Sequence, residues 1–215
     1  MSRRLMLKNA SGGGILPPEY QQVEWIRNTT KEGRVTFAVP NFTKIDFDIV
    51  VDAFTQSSYK DSGGNYIVYG NTPQKLSIGT SSVYGRIYIY SSSSTGVYDF
   101  DYYSKTVNIK AGLDTNAVNK RYFSITDGET TANSTQNLTG NIDISNINTI
   151  YLFSYPQYND TQFYCRFRKM SIITDTASYN LIPCYRKNDS AIGLYDTVNG
   201  AFYNASGTFE KGADV

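Results

Sequence analysis

Asp46 and Asp48, one residue apart with Asp52 beyond, are the nearest this 215-residue chain comes to a pair of reactive carboxylates. Alternation along a strand puts all three on one face, and two facing carboxyl groups are all that glycoside hydrolysis needs. On a sandwich such a pair would sit on a concave face, often as a Glu-x-Asp-x-x-Glu run, and the chain has no such run. A solvated strand face explains the aspartates better. Next comes a calcium site, because hard oxygen ligands cluster in this way; apart from that calcium no cofactor is expected. The chain has no histidine, hence neither the commonest general base nor the commonest metal ligand. Its two cysteines, Cys165 and Cys184, are too few and too far apart for structural zinc. It also lacks a Gly-Lys-Ser/Thr phosphate loop and a Gly-x-Ser-x-Gly elbow. These gaps lead to the expectation that the chain is not an enzyme.

Aromatic side chains are what remains: 19 Tyr, 11 Phe and one Trp. Tyr88 and Tyr90 share the outward face of one strand, and Tyr98, Phe100 and Tyr102 alternate with Asp99 and Asp101. Tyrosine beside Asp, Asn and Arg can stack on the apolar side of a sugar ring while neighbouring groups bind its hydroxyls. Tyr88, Tyr90 and Tyr102 are therefore candidates for carbohydrate binding. The competing account places the same tyrosines in the core of a second sheet or at a subunit interface, where Tyr is also enriched. The formal charge is +1, from 20 Lys plus Arg against 19 Asp plus Glu. Such a balance creates no long-range field for phosphates, which argues against nucleic acid as a partner. No run of the roughly 18 apolar residues needed for a membrane helix occurs.

Ser11-Gly-Gly-Gly14 reads as a hinge that separates an arm, residues 1–14, from a body, residues 15–215. Leu5, Met6 and Leu7, beside Arg3, Arg4 and Lys8, suit a segment docked in a groove on another protein; a frayed terminus is the plain alternative. That apolar triplet is too short for a secretory signal, so folding in a cytoplasm is expected. There, Cys165 and Cys184 stay as buried reduced thiols. The sequons at Asn28, Asn41 and Asn137 then reduce to by-products of an Asn/Thr-rich surface.

The body alternates with period two almost throughout, the signature of strands with one buried face. Ile45, Phe47, Ile49, Val51 and Ala53 form one such set, Ile87 and Ile89 a second. Val107 and Ile109, then Phe123 and Ile125, mark two more. Phe163, Cys165 and Phe167 share a face that Met170 and Ile172 resume one residue out of phase, which predicts a bulge near Arg168 or Lys169. Asp127-Gly128 and Asn199-Gly200 are turn signals. No segment sustains apolar residues at helical spacing. The architecture that buries many half-apolar strands is an all-β, antiparallel, two-sheet sandwich, a jelly roll. Phe47, Ile49, Ile87, Ile89, Phe123, Ile125, Phe163 and Phe167 are its expected core.

Two stretches resemble a known group of proteins. The segment Leu16-Pro-Pro-Glu-Tyr-Gln-Gln-Val-Glu-Trp-Ile26 resembles the opening of many phage-encoded proteins, and the segment from Leu181-Ile-Pro-Cys-Tyr to Gly200-Ala-Phe-Tyr203 is similar to their closing motif, completed by Asn204 to Phe209. These resemble concanavalin A-like or laminin-G-like jelly rolls in phages and prophages of gut bacteria. The Arg27-to-Phe37 segment departs from the strand that follows such an opening. The resemblance implies a virion protein, assembled in the host cytoplasm and partnered by other virion proteins. It places the chain on a tail fibre, baseplate or head fibre, where it would bind a host-surface glycan as a homo-oligomer, with a trimer expected. The alternative is a purely structural capsid or tail decoration, and a glycan-degrading enzyme ranks third. No site residue is carried over from the resemblance.

Overall fold

A computed structural model describes residues 16–30, 32–40, 42–51, 65–70, 77–81, 86–91, 94–99, 106–114, 120–128, 130–137, 147–153 and 165–215. Within 65–99, and at 120, 121 and 134–137, the description is of backbone pairing. The arm and its Leu5, Met6 and Leu7 lie outside the described residues, as do Asp52, Tyr102 and Phe163.

The described residues form strands and turns and no helix, so none that is long and apolar enough to cross a membrane. The strands are β1 (Tyr20–Gln22), β2 (Ile26–Asn28), β3 (Arg34–Ala38), β4 (Phe42–Val51), β5 (Asn65–Gly70), β6 (Ser77–Ser81), β7 (Arg86–Ser91), β8 (Ser94–Asp99) and β9 (Val107–Asp114). They continue as β10 (Lys120–Thr126), β11 (Thr131–Asn137), β12 (Thr149–Leu152), β13 (Cys165–Thr174), β14 (Ser178–Arg186), β15 (Ala191–Asp196), β16 (Ala201–Ser206) and β17 (Phe209–Lys211). Every pairing between them is antiparallel.

One sheet runs β11-β10-β9-β4-β13-β14-β15-β16. The other runs β16-β3-β12-β5-β6-β7-β8. Strand β16 belongs to both: Ala201 to Asn204 pair with β15, and Ala205 and Ser206 pair with β3. A strand that changes sheets in this way turns the corner of a sandwich. The chain is an antiparallel jelly-roll sandwich, as its alternation predicts.

The inward faces meet in one apolar cluster. Phe47, Ile49, Phe123, Ile125 and Phe167 are all buried in it, as expected, while Ile87 and Ile89 fall on β7, where only pairing is described. Phe153, just beyond β12, is fully buried and stacks edge-on to Phe167 of the first sheet, ring centres 6.1 Å apart, and to Phe209, 5.2 Å apart. Its φ of 73° is unfavourable for a bulky residue, and the surrounding core holds it there.

The register of β13 against β4 slips between Phe167 and Lys169, so Arg168 is the extra residue of the expected bulge. Phe167 and Met170 both stay buried, whereas Arg168 and Lys169 are both exposed. Pro183 sits where the neighbour of β14 changes from β13 to β1. Its carbonyl accepts from the Val23 amide at 3.1 Å, so its missing N–H falls in that handover and breaks no ladder bond.

The closing hairpin forms at Thr197 to Gly200, with Gly200 at φ 70°, a conformation open to glycine without strain. Its carboxylate latch is Asp196, fully buried. Asp196 Oδ1 accepts from the amides of Asn180 (3.1 Å) and Val198 (3.0 Å), and Oδ2 from Asn199 Nδ2 (2.6 Å). Both cysteines are buried and neither forms a disulfide, and burial pushes the Cys184 thiol up to about 12. Asn28 corrects the account of the sequons as surface by-products: it is 1% exposed, and its Nδ2 donates to the Thr30 carbonyl at 3.1 Å.

Candidate functional site

Strands β13, β4, β9 and β10 lie side by side, and alternation sends every second side chain of each to the outer face. Register then decides which outward residues become neighbours. Asp46 stands opposite Ser171 on β13 and Gly112 on β9, and Gly112 stands opposite Tyr122 on β10. One step along, Asp48 stands opposite Lys169 and Lys110, and Lys110 opposite Ser124. Residues that sequence separates by more than a hundred positions thus share one polar face.

An open groove of ≈ 370 Å³ runs over the first of these rows, lined by Asp46, Asp48, Lys110, Tyr122, Lys169 and Ser171 among others. A second, of ≈ 690 Å³, also has Asp48, Lys110 and Lys169 in its walls and extends to Asn108, Thr126 and Arg168. The shared residues make the two a single trough. Gly112 shapes it: a Cβ there would sit 2.5 Å from both Tyr122 Cζ and Asp46 Oδ1, so only glycine lets the phenol end of Tyr122 lie across β9. Lys44 Nζ lies 5.9 Å from the centre of the Tyr122 ring.

Both aspartates are only partly satisfied. Asp46 Oδ2 is 3.3 Å from Lys44 Nζ and accepts from Ser171 Oγ at 3.4 Å; Asp48 Oδ2 is 3.9 Å from Lys110 Nζ. The Oδ1 atom of each is buried with no hydrogen-bond partner among the described residues. Burial holds the Asp46 carboxyl above its ordinary range; Lys44 and the Ser171 bond oppose that, and the Asp114 charge adds to it. The arrangement offers an aromatic surface with part-exposed carboxylates and ammonium groups beside it, suited to a polyhydroxylated ligand. Among the described residues no group of three or more Asp, Glu, Cys or His is placed to hold a metal.

Two of the three expected sugar-binding tyrosines lie elsewhere. Tyr88 and Tyr90 occupy β7 of the other sheet, opposite Gly79 and Ser77 on β6 and opposite Val97 and Thr95 on β8. Tyr102 lies outside the described residues, and so do the docking candidates Leu5, Met6 and Leu7. Sequence reasoning missed Tyr122. The signal was present, because Phe123 and Ile125 inward require Tyr122 outward, but nothing local showed that Gly112 and Asp46 would lie beside it.

No family model matches the chain, and no curated protein matches it. Solved structures do. Scytalido-glutamic peptidase bound to a peptide-based transition state analog is similar over 87% of this chain and 100% of its own, at 12% identity and TM-score 0.44. SCP-B, titled a member of the Eqolisin family of peptidases, covers the same shares at 11% identity and TM-score 0.39. The heptameric SAP-like pentraxin of Limulus polyphemus is similar over 94% of this chain and 97% of its own, at 8% identity and TM-score 0.49. Peptidases stand among these structures, against the expectation that the chain is not an enzyme, and the likeness is one of fold alone. That expectation rested on the missing histidine, zinc ligands, phosphate loop and Gly-x-Ser-x-Gly elbow, and on the absence of a Glu-x-Asp-x-x-Glu run. With every TM-score here below 0.5, no residue role and no activity is carried across from these proteins.

Proposed function

We propose that this domain is displayed on a bacteriophage particle, in a tail fibre, baseplate or head fibre, and holds a host-surface glycan in the trough across β13, β4, β9 and β10. The observation that carries the binding is Tyr122, laid across Gly112 beside the part-exposed carboxylates of Asp46 and Asp48. A sugar ring seated on the tyrosine brings hydroxyl donors to the exposed side of those carboxylates, where a charged acceptor strengthens each bond. Display on a virion is supported by the resemblance of Leu16 to Ile26 and of Leu181 to Tyr203 to phage-encoded proteins. An open trough buries little of a hydrated sugar, and a Kd of ~1 mM corresponds to only about −4 kcal/mol. Linked copies raise avidity by ~10²–10⁴ without new contacts, so the reading calls for a homo-oligomer, with a trimer suited to a threefold fibre.

Tyr122→Ala is the test. Loss of an aromatic contact worth about 1.5 kcal/mol lowers glycan binding roughly tenfold, while Tyr122→Phe keeps the ring and most of the binding. Both are measured as adsorption to host cells beside the melting temperature. Unchanged adsorption in a folded Tyr122→Ala protein would sink the reading and leave structural decoration in its place. An observation favouring that second reading is the outer face of the closing hairpin. There the Tyr20 ring lies 4.9 Å from Tyr195 and 5.1 Å from Phe202, with Arg186 5.4 Å from the Phe202 ring. Aromatic and Arg side chains of this kind are enriched at subunit contacts.

A further inference from the structure

The trough is not chemically uniform along its length. Its Tyr122 end carries Asp46, Ser171 and the phenol ring; Asp48, Lys110 and Lys169 line both parts, and the far end adds Arg168 and Asn108, with Glu24 at its wall. The bulge in β13 creates that difference. In a regular strand one of two consecutive residues faces the core, but the slip at Arg168 leaves Arg168 and Lys169 both exposed between buried Phe167 and Met170. Two adjacent cations on one face repel each other, and local compensation is thin. Asp48 is opposite Lys169 in register yet lies 3.9 Å from Lys110, and Arg168 Nη1 donates to Asn108 Oδ1 at 3.3 Å. Lys169, which lines both parts of the trough, has no ion-pair or hydrogen-bond partner among the described residues. Bulges recur beside functional sites because they re-aim side chains in this way.

We propose that the glycan of this trough is acidic. A sugar ring sits on Tyr122 with its hydroxyls toward Asp46 and Asp48, and a carboxylate or sulfate on a neighbouring residue of the same glycan reaches Arg168, Lys169 and Lys110. Arg168, bonded to Asn108, stands four residues along β9 from Gly112, or about 13 Å at strand rise, while Lys110 and Lys169 stand one row, about 7 Å, from it. The ring on Tyr122 and an acidic group that reaches Arg168 therefore belong to different sugars of an oligosaccharide, with the two lysines between them. Arginine offers a planar fork for a carboxylate or sulfate, and the two lysines offer mobile point charges.

This inference rests on the glycan reading, and the two can fail separately. Binding of the full chain is measured to a polyuronate, to the same polymer after carboxyl reduction, and to a sulfated galactan, at low and high salt. The parent protein should prefer an acidic polymer, with salt weakening the preference. The arms distinguish the source of charge: a carboxylate-specific site drops on reduction and ignores the galactan. Lys169→Gln and Arg168→Gln should each lose up to about fivefold on the acidic polymer and nothing on the neutral one. Tyr122→Ala should lose on both. Equal binding to neutral and acidic polymers, with Lys169→Gln and Arg168→Gln indistinguishable from the parent, overturns the acidic ligand and leaves the glycan reading standing. Binding that depends on the two cations but not on Tyr122 overturns the glycan reading, because a bare ionic contact would then suffice.

Discussion

Asp46 couples the trough to pH. Its carboxyl is held above its ordinary value first by burial, so the folded protein takes up the proton more readily than the unfolded chain. Below the ordinary value of 3.8 both states are protonated and burial costs nothing. As pH rises from there through the raised folded value, the unfolded chain ionises first and stability is lost; above it the loss is complete. Asp46→Asn abolishes that titration. The stability difference between parent and variant, from denaturant unfolding at a series of pH values, should therefore shift in the variant's favour across that window and then level off. Parallel curves would show that Lys44 and Ser171 already offset the burial. The same residue explains a difference between the two aspartates and a simple solvated face: they are outward, as alternation requires, but each has one buried oxygen with no hydrogen-bond partner among the described residues.

At the scale of elements, the closing hairpin is the most tightly specified part of the chain. Asn180 contributes its amide to Asp196 and its side-chain Nδ2 to Thr197 Oγ1 at 2.6 Å, while Asn199 Nδ2 also donates to the Ser178 carbonyl at 2.9 Å. The turn of one hairpin is thereby tied to the start of β14. Asp196→Ala removes the buried carboxylate that accepts from two amides and the Asn199 side chain, and a hydrogen bond to a charged group contributes ~1.5–3 kcal/mol. A destabilisation of about 3 kcal/mol or more is expected by chemical denaturation, with Asp196→Asn intermediate because its carbonyl still accepts. A loss within about 0.5 kcal/mol, as for an ordinary surface change, would mean the turn holds itself. The bulge at Arg168 is the second specified element. It was legible in sequence because a phase slip between Phe167 and Met170 is visible without knowing the partner strand.

Over the whole molecule, the opening and closing segments meet. Strand β1 pairs with β14 and β2 with β17, and Val23 bridges to Asp214, so the two ends of the described chain lie in one sheet. Phe153 connects that closure to the opposite sheet through Phe167 and Phe209. Phe153→Ala and Phe167→Ala should each cost ~3–5 kcal/mol. Because their rings touch, the double variant should cost less than the sum, by ~0.5–3 kcal/mol, in one cooperative transition. Strict additivity would place the two rings in independent cores.

Sequence alone determined the properties that repeat along a strand. Period-two alternation identified the inward residues Phe47, Ile49, Phe123, Ile125 and Phe167, the slip at Arg168, and the turn at Asn199-Gly200, because each depends only on near neighbours in the chain. What faces what across strands depends on register, and register is a property of pairs of strands distant in sequence. Nothing within Asp46-Phe-Asp48 indicates that Gly112 will lie beside it. Nor does anything near Tyr122 indicate that a missing Cβ on the next strand leaves room for its ring. Alternation marks Tyr88 and Tyr90 as outward, which reports a face and not its neighbours. Tertiary pairing decided the trough, by bringing β13, β4, β9 and β10 together in a register that sets an aromatic ring, two half-satisfied carboxylates and a pair of bulged cations on one surface.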